Sequence, residues 1–186
     1  MEFKKIQLNG FKSFAEKTNF LIENGLTGIV GPNGCGKSNI VESLRWVMGE
    51  TSAKSMRGSG MEDVIFSGTS NKASKNIAEV SIEVENKDKE GPIQYRELEQ
   101  IQIRRKIEKD KGSKFYINDK EVRARDAQMF FADLSTGAHS PSMISQGRIG
   151  ALVTAKPTDR RAILEEAAGI SGLHVRRHEA LSLIHI

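Results

Sequence analysis

The residues Gly31-Pro32-Asn33-Gly34-Cys35-Gly36-Lys37-Ser38 constrain this chain more than any other stretch, because they fit GxxxxGK[ST] with no mismatch. Leu26–Val30 precedes them as a short apolar segment that reads as a strand. Behind them Ile40, Val41, Leu44, Val47 and Met48 fall at helical spacing, predicting a helix over Ser38–Met48 that Gly49 closes. Strand, glycine-rich turn and helix in that order make a phosphate cradle. Glycine is needed because successive backbone N–H groups can wrap a phosphate only where no Cβ intervenes. Lys37 brings a point charge to the outer phosphates, the Ser38 hydroxyl is a ligand for Mg²⁺, and the helix N-terminus adds partial positive charge. A glycine-rich turn that binds nothing is the competing reading, and the two flanking elements weaken it. Cys35 reads as a small loop residue whose thiol chemistry is incidental.

The rest of the chain supplies a scaffold. Its 186 residues suit about one domain, and 38% hydrophobic with 28% charged residues excludes a disordered or fibrous class. A lone cysteine excludes a disulfide framework and suits a reducing compartment. No apolar run approaches the ~20 residues of a membrane span, and MEFKKIQL has no secretory h-region. Strands are predicted over Phe3–Leu8, Thr18–Glu23, Ala78–Glu85, Ile101–Ile103 and Phe115–Ile117, with turns at Gly25 and Asn118-Asp119. The stretch Glu50–Asn76 reads as a long surface excursion. Asp126–Leu134 reads as a short apolar helix, with a loop over Ser135–Ser142. A last helix follows Pro157, capped by Thr158 or Asp159, with Ile163, Ala167, Ile170 and Leu173 as its apolar stripe. The pattern is an α/β core carrying an antiparallel β insertion, then a charged helix leading out.

Charge is uneven. Nine basic and four acidic residues lie between Arg104 and Arg125, a local +5 against a total of +4. Such a stretch on a near-neutral body suits a phosphate-facing surface, and equally a solvated hairpin whose lysines guard a sheet edge.

Several segments beyond the loop occur together in a recognisable order: Gly10–Phe14 (GFKSF), Gly31–Asn39 (GPNGCGKSN), Leu44–Glu50 (LRWVMGE), Lys54–Thr69 (KSMRGSGMEDVIFSGT), Ile144–Ile149 (ISQGRI) and Arg160–Ile170 (RRAILEEAAGI). In this combination the chain closely resembles the N-terminal head lobe of SMC (structural maintenance of chromosomes) proteins of the bacterial chromosome-partition type, from Met1 to about Glu179. The resemblance implies an α/β fold: a P-loop ABC-type ATPase half-head with an antiparallel β subdomain, exiting into a coiled-coil helix. The implied division is 1–158 for the lobe, 159–180 for the start of the coiled-coil neck, and 181–186 as an atypical tail without assigned function.

ATP and Mg²⁺ are the implied cofactors. Pro32, Asn33, Gly34, Cys35, Gly36, Lys37, Ser38 and Asn39 would form the Walker A loop, with Lys12 and Ser13 beside the nucleotide. Ser38 and the Q-loop residue Gln146 would hold Mg²⁺, Gln146 would also meet the attacking water, and Arg57 would act as an arginine finger. Implied partners are a C-terminal lobe of the same full-length chain, a second head, a kleisin subunit and double-stranded DNA, in the cytoplasm at the nucleoid. Arg104, Lys106, Arg123 and Arg125 are the residues expected on DNA phosphates, without sequence preference. A DNA-repair ATPase of the Rad50 or RecN kind is an alternative that KSMRGSG and RRAILEEAAGI disfavour. A non-catalytic lobe that docks a kleisin on its exit helix, or acts as a dominant-negative fragment, is another.

Two look-alikes fail on chemistry and order. Met129–Asp133 resembles a Walker B run and Leu134–Gly137 an ABC signature. Yet Leu134 stands where the catalytic glutamate belongs, and both precede Gln146 rather than follow it. The apolar run is better explained as the buried face of a helix. His174 and His178 are four apart, but Val175 replaces the glutamate of HExxH, and both read as solvated. Trp46 reads as core. No signature, Walker B or catalytic glutamate follows Gln146, so the expectation is a lobe that binds ATP phosphates and has negligible ATPase activity alone.

Overall fold

Alternation at period two builds the centre of the molecule. In the computed structural model, which describes residues 1–89, 91–134, 143 and 153–168, six strands form one antiparallel sheet in the order β2-β1-β3-β4-β5-β6. They are β1 (Glu2–Asn9), β2 (Thr18–Leu21), β3 (Ile77–Glu85), β4 (Gln100–Glu108), β5 (Gly112–Ile117) and β6 (Lys120–Val122). The register sets Ile6 opposite Ile82, and Ile82 opposite Ile103, which faces Ile117 in turn. These residues line the inner face and are buried, each worth about 1.5–3 kcal/mol of transfer free energy. A one-residue slip would turn that whole row outward, so the burial fixes the register. Asn118 and Asp119 both adopt positive φ, 47° and 63°, the turn geometry that suits a tight β5–β6 hairpin.

Helix α1 (Lys37–Val47) and helix α2 (Ala124–Asp133) cover the inner face, α1 over β3 and β4, α2 over β5. No proline or glycine interrupts α1, and Ile40, Ser43, Trp46 and Val47 bury its inner stripe. It ends where Gly49 takes φ 103° and its N–H reaches the Trp46 carbonyl at 3.1 Å. In α2 the buried residues are Ala127, Phe130 and Phe131, the helical placement expected for the false Walker B run. Trp46 is fully buried against Phe11, ring centroids 5.4 Å apart.

Arg105 is the unexpected member of the core. It sits on β4 between Ile103 and Ile107, on their face of the sheet, and is 3% exposed. Its guanidinium lies between the rings of Trp46 (4.5 Å) and Phe115 (4.6 Å). It donates to the carbonyls of Trp46 and Glu50, each at 2.7 Å, and to Ser113 Oγ at 2.7 Å. The arginine thus adds a second bond to the Trp46 carbonyl, which Gly49 N–H already reaches, and holds the Glu50 carbonyl just beyond the end of α1. Burial lowers its pKa from the ordinary guanidinium value to about 10, against the raising effect of Glu50.

Some expectations are revised. Leu26–Val30 forms no strand, and Leu26 is 99% and Val30 93% exposed. An apolar strand of an α/β sheet needs neighbours on both edges, and no described strand lies beside this one. Strand β2 stops at Leu21, short of Glu23. The segment 50–76 is more than a surface excursion: it contains 3-10 turns at Lys54–Met56 and Met61–Val64, and it buries Met56, Val64, Ile65 and Phe66. Helix α3 (Pro157–Ala167) starts at Pro157, placing Thr158 and Asp159 in its first turn rather than at its cap. Ile170 and Leu173, the loop over 135–142, the four histidines and the tail 181–186 lie outside the described residues.

Candidate functional site

Three segments converge on the N-terminal half of α1. The first is the glycine-rich loop. Gly34 and Gly36 take φ 83° and 95°, and Gly36 is the left-handed residue at the helix N-cap. The backbone angle of Gly36 favours glycine, and a Cβ there would also lie 2.6 Å from Ser13 Oγ and displace that side chain. Lys37 Nζ folds back over the loop and donates to the carbonyls of Gly31 and Pro32, each at 2.6 Å, 3.7 Å from Cys35 Sγ. Asn33 and Cys35 are exposed. No side chain caps α1, and its first turn contains no carboxylate. Positive-φ glycines, an uncapped helix N-terminus and a lysine over the loop fit an anion of the phosphate class. Ser38 begins the helix beside them, a hydroxyl suited to a hard cation.

The second segment is the turn Gly10–Phe14. Gly10 has φ 64°, and a Cβ there would meet the Ile77 carbonyl at 2.2 Å. Reciprocal bonds between Phe11 and Phe14, 2.8 and 3.1 Å, close the turn, and Lys12 N–H donates to the Val64 carbonyl at 2.7 Å. Ser13 Oγ accepts from Asn39 Nδ2 at 2.9 Å, so this turn is bonded directly to the helix of the loop. Lys12 Nζ reaches the carboxylate of Glu42 and the Met56 carbonyl, the latter at 2.5 Å.

The third segment carries Arg57. It follows the turn Lys54–Met56 with φ 55°, and its guanidinium pairs with the other oxygen of Glu42. Asp63 holds the next part of this loop, accepting from Ser59 N–H (2.7 Å), Ser59 Oγ (2.9 Å) and Gly60 N–H (2.9 Å). Those bonds, Gly60 first, hold its carboxyl below the usual aspartate pKa of 3.8.

The structure therefore brings Lys12, Ser13, Lys37, Asn39 and Arg57 together around α1. Gln146 lies outside the described residues. Glu42 and Asp63 escaped the sequence reading. For Glu42 a signal existed: it follows Ser38 by one helical turn, on the side of α1 that carries the loop's chemistry.

The basic stretch is divided among different places. Arg104 and Lys106 stand on the outer face of β4, while Arg105 turns inward. Arg104 is bound to Asp119 at 2.8 Å and Glu79 at 3.5 Å, and stacks on Tyr116 at 4.6 Å. Lys106 lies opposite Glu79 and Lys114. Arg123 and Arg125 are exposed at the start of α2.

A glycine-rich loop at an uncapped helix, carried on an antiparallel sheet, is the arrangement of a P-loop protein of the ABC ATPase class. Residues 2–148 match the sequence model of the RecF/RecN/SMC N terminal domain. The chain is 57% identical over 180 residues to the chromosome partition protein Smc of Cereibacter sphaeroides, covering 97% of this chain and 16% of that one. It superposes with TM-score 0.77 at 32% identity on a chain solved for the structural biochemistry of ATP-driven dimerization and DNA-stimulated activation of SMC ATPases, covering 90% of this chain and 99% of that one. The Smc head domain with an extended coiled coil, bound to the C-terminal domain of ScpA and derived from Pyrococcus furiosus, gives TM-score 0.83 at 30% identity, covering 98% and 46%. The chain belongs to the SMC family and corresponds to its N-terminal head lobe. No helix among the described residues is long and apolar enough to cross a membrane.

Proposed function

We propose that this lobe binds the phosphates of ATP and works as one half of an SMC ATPase head in chromosome partition. The convergence of Lys12, Lys37 and Arg57 on the N-terminal half of α1, Lys12 and Arg57 through Glu42, supports this above all. In this reading Pro32–Asn39 cradle the phosphates, Lys37 neutralises the outer ones, and Arg57 supplies a finger to charge developing at the transferred group. Ser38 and Gln146 hold Mg²⁺, which neutralises phosphate charge when bound. Gln146 also orients water. Lys12 and Ser13 fix the turn against the nucleotide. A glutamate to activate water, with signature and Walker B, comes from a C-terminal lobe of the full-length chain.

The exposed apolar side chains of Leu26, Ile29 and Val30 are the surface that such a lobe covers, completing a sheet next to the loop. Residues 1–158 then form the lobe, 159–180 begin the coiled-coil neck, and 181–186 carry no role. A second head joins this one around ATP, a kleisin subunit docks on the head, and the cycle captures DNA loops at the nucleoid in the cytoplasm. Arg104, Lys106, Arg123 and Arg125 meet DNA phosphates. Arg104 does so less strongly than its charge alone implies, since Asp119 and Glu79 already hold it.

The test is ATP hydrolysis by this chain with and without the C-terminal lobe. Negligible turnover alone, restored by the lobe and abolished by Lys37→Ala, is expected. Robust turnover by the lone chain, sensitive to Lys37→Ala, overturns the half-site reading.

A further inference from the structure

Glu42 occupies a position that nothing in the phosphate loop itself demands. Its side chain is 10% exposed, and each of its two oxygens holds a cation: Oε2 takes Lys12 and Oε1 takes Arg57. A carboxylate so buried needs a cationic partner, because losing both would leave its charge uncompensated in a poorly solvated place; with Lys12 alone the pair is still neutral. The two partners also share a backbone peculiarity. Lys12 and Arg57 are non-glycine residues held at positive φ, 47° and 55°. Such angles are unfavourable for side-chain-bearing residues and persist where surrounding contacts enforce them.

The partners differ in how firmly they are held. Lys12 is 13% exposed and is tied a second time, to the Met56 carbonyl at 2.5 Å. Arg57 is 59% exposed and long, so its guanidinium is free to move while its backbone stays at the C-cap of the short turn.

We propose that Glu42 is a positioning residue of the nucleotide site, an internal anion that holds Lys12 and Arg57 against α1 and competes with nucleotide phosphate for Arg57. This rests on the ATP-binding reading above. Lys12 remains on Glu42 throughout, and Arg57 is traded from carboxylate to phosphate as the triphosphate binds. The trade lowers net affinity, because breaking the ion pair offsets part of the free energy that the arginine–phosphate pairing supplies. It also keeps the finger within reach of the loop, so loss of the carboxylate costs turnover while improving binding.

The decisive comparison is ATP binding and turnover in the full-length protein, for wild type, Glu42→Gln, Arg57→Ala and the double variant. Glu42→Gln should bind ATP about three- to tenfold tighter, the scale of a partly screened charge pair, with lower kcat. The gain should vanish in the Arg57→Ala background, and Glu42→Asp should restore affinity toward wild type. If Glu42→Gln does not fold, the pair Lys12→Met with Glu42→Gln removes the buried ions together. It should bind ATP more tightly than Lys12→Met alone. Unchanged or weaker binding on loss of the carboxylate, or a gain that persists without Arg57, overturns the proposal. Failure of the wild-type protein to bind ATP is a different outcome, visible before Glu42 is touched, and it overturns the ATP-binding reading on which the proposal stands.

Discussion

Arg105→Met is the most informative change to the scaffold, because it keeps the length and apolar stem of the side chain and deletes only its charge and donors. Three hydrogen bonds disappear, to the carbonyls of Trp46 and Glu50 and to Ser113 Oγ, all at 2.7 Å. Bonds from a charged donor are worth about 1.5–3 kcal/mol each; the Trp46 carbonyl keeps its bond from Gly49 N–H, while that of Glu50 loses its arginine donor. Stacking on Trp46 and Phe115 adds roughly 1 kcal/mol. The opposing term is relief from burying the charge. The fall in pKa to about 10 corresponds to roughly 3 kcal/mol. The balance predicts a loss of about 2.5–7 kcal/mol.

Urea unfolding followed by fluorescence reads this directly, since Trp46 is the single tryptophan and lies under the guanidinium. The phosphate loop is at the other end of α1, about 16 Å away for an 11-residue helix. ATP affinity under folding conditions should therefore change little. A stability loss below about 1 kcal/mol, or a gain, would show that desolvation outweighs the hydrogen bonds and refute the reasoning.

Two other perturbations follow from the geometry. The Asp63 carboxyl is held below 3.8, so its contribution is fully present above the unfolded-state pKa and is lost as pH falls through the lower, folded value. Hydrogen exchange of the Ser59 and Gly60 amides should accelerate, relative to a neighbouring reference amide, across that acid window, and in Asp63→Asn at neutral pH; equal protection in the variant contradicts the role. Replacing Arg104, Lys106, Arg123 and Arg125 together with glutamate should weaken DNA binding and flatten its salt dependence while sparing ATP binding. Unchanged DNA affinity at moderate salt removes those residues from the interface.

The phosphate loop was readable from residues alone because its chemistry is local: glycines, a lysine and a helix start within eight positions. Strand β3 is legible for the same reason, since alternation is a local signal, whereas β4 runs on to Glu108, well past the predicted Ile101–Ile103. Arg105 shows where counting charge misleads. It belonged to the +5 stretch by composition, yet its place in the series Ile101, Ile103, Arg105, Ile107 assigns it to the inner face. Glu42 depends on two partners 30 and 15 positions away in sequence, which no local pattern brings together. Leu26–Val30 carries the composition of a buried strand, and whether it becomes one depends on strands beside it.

The central claim is that the loop of this lobe binds ATP through Lys37. Direct titration with ATP and Mg²⁺, read by calorimetry or a fluorescent nucleotide, tests it without relying on turnover. Saturable binding by the wild-type chain is expected, weakened about tenfold or more by Lys37→Ala, the loss of one charge-assisted contact to phosphate. Equal affinity in the two proteins, or no binding by the folded wild-type chain at millimolar ATP, would contradict the account.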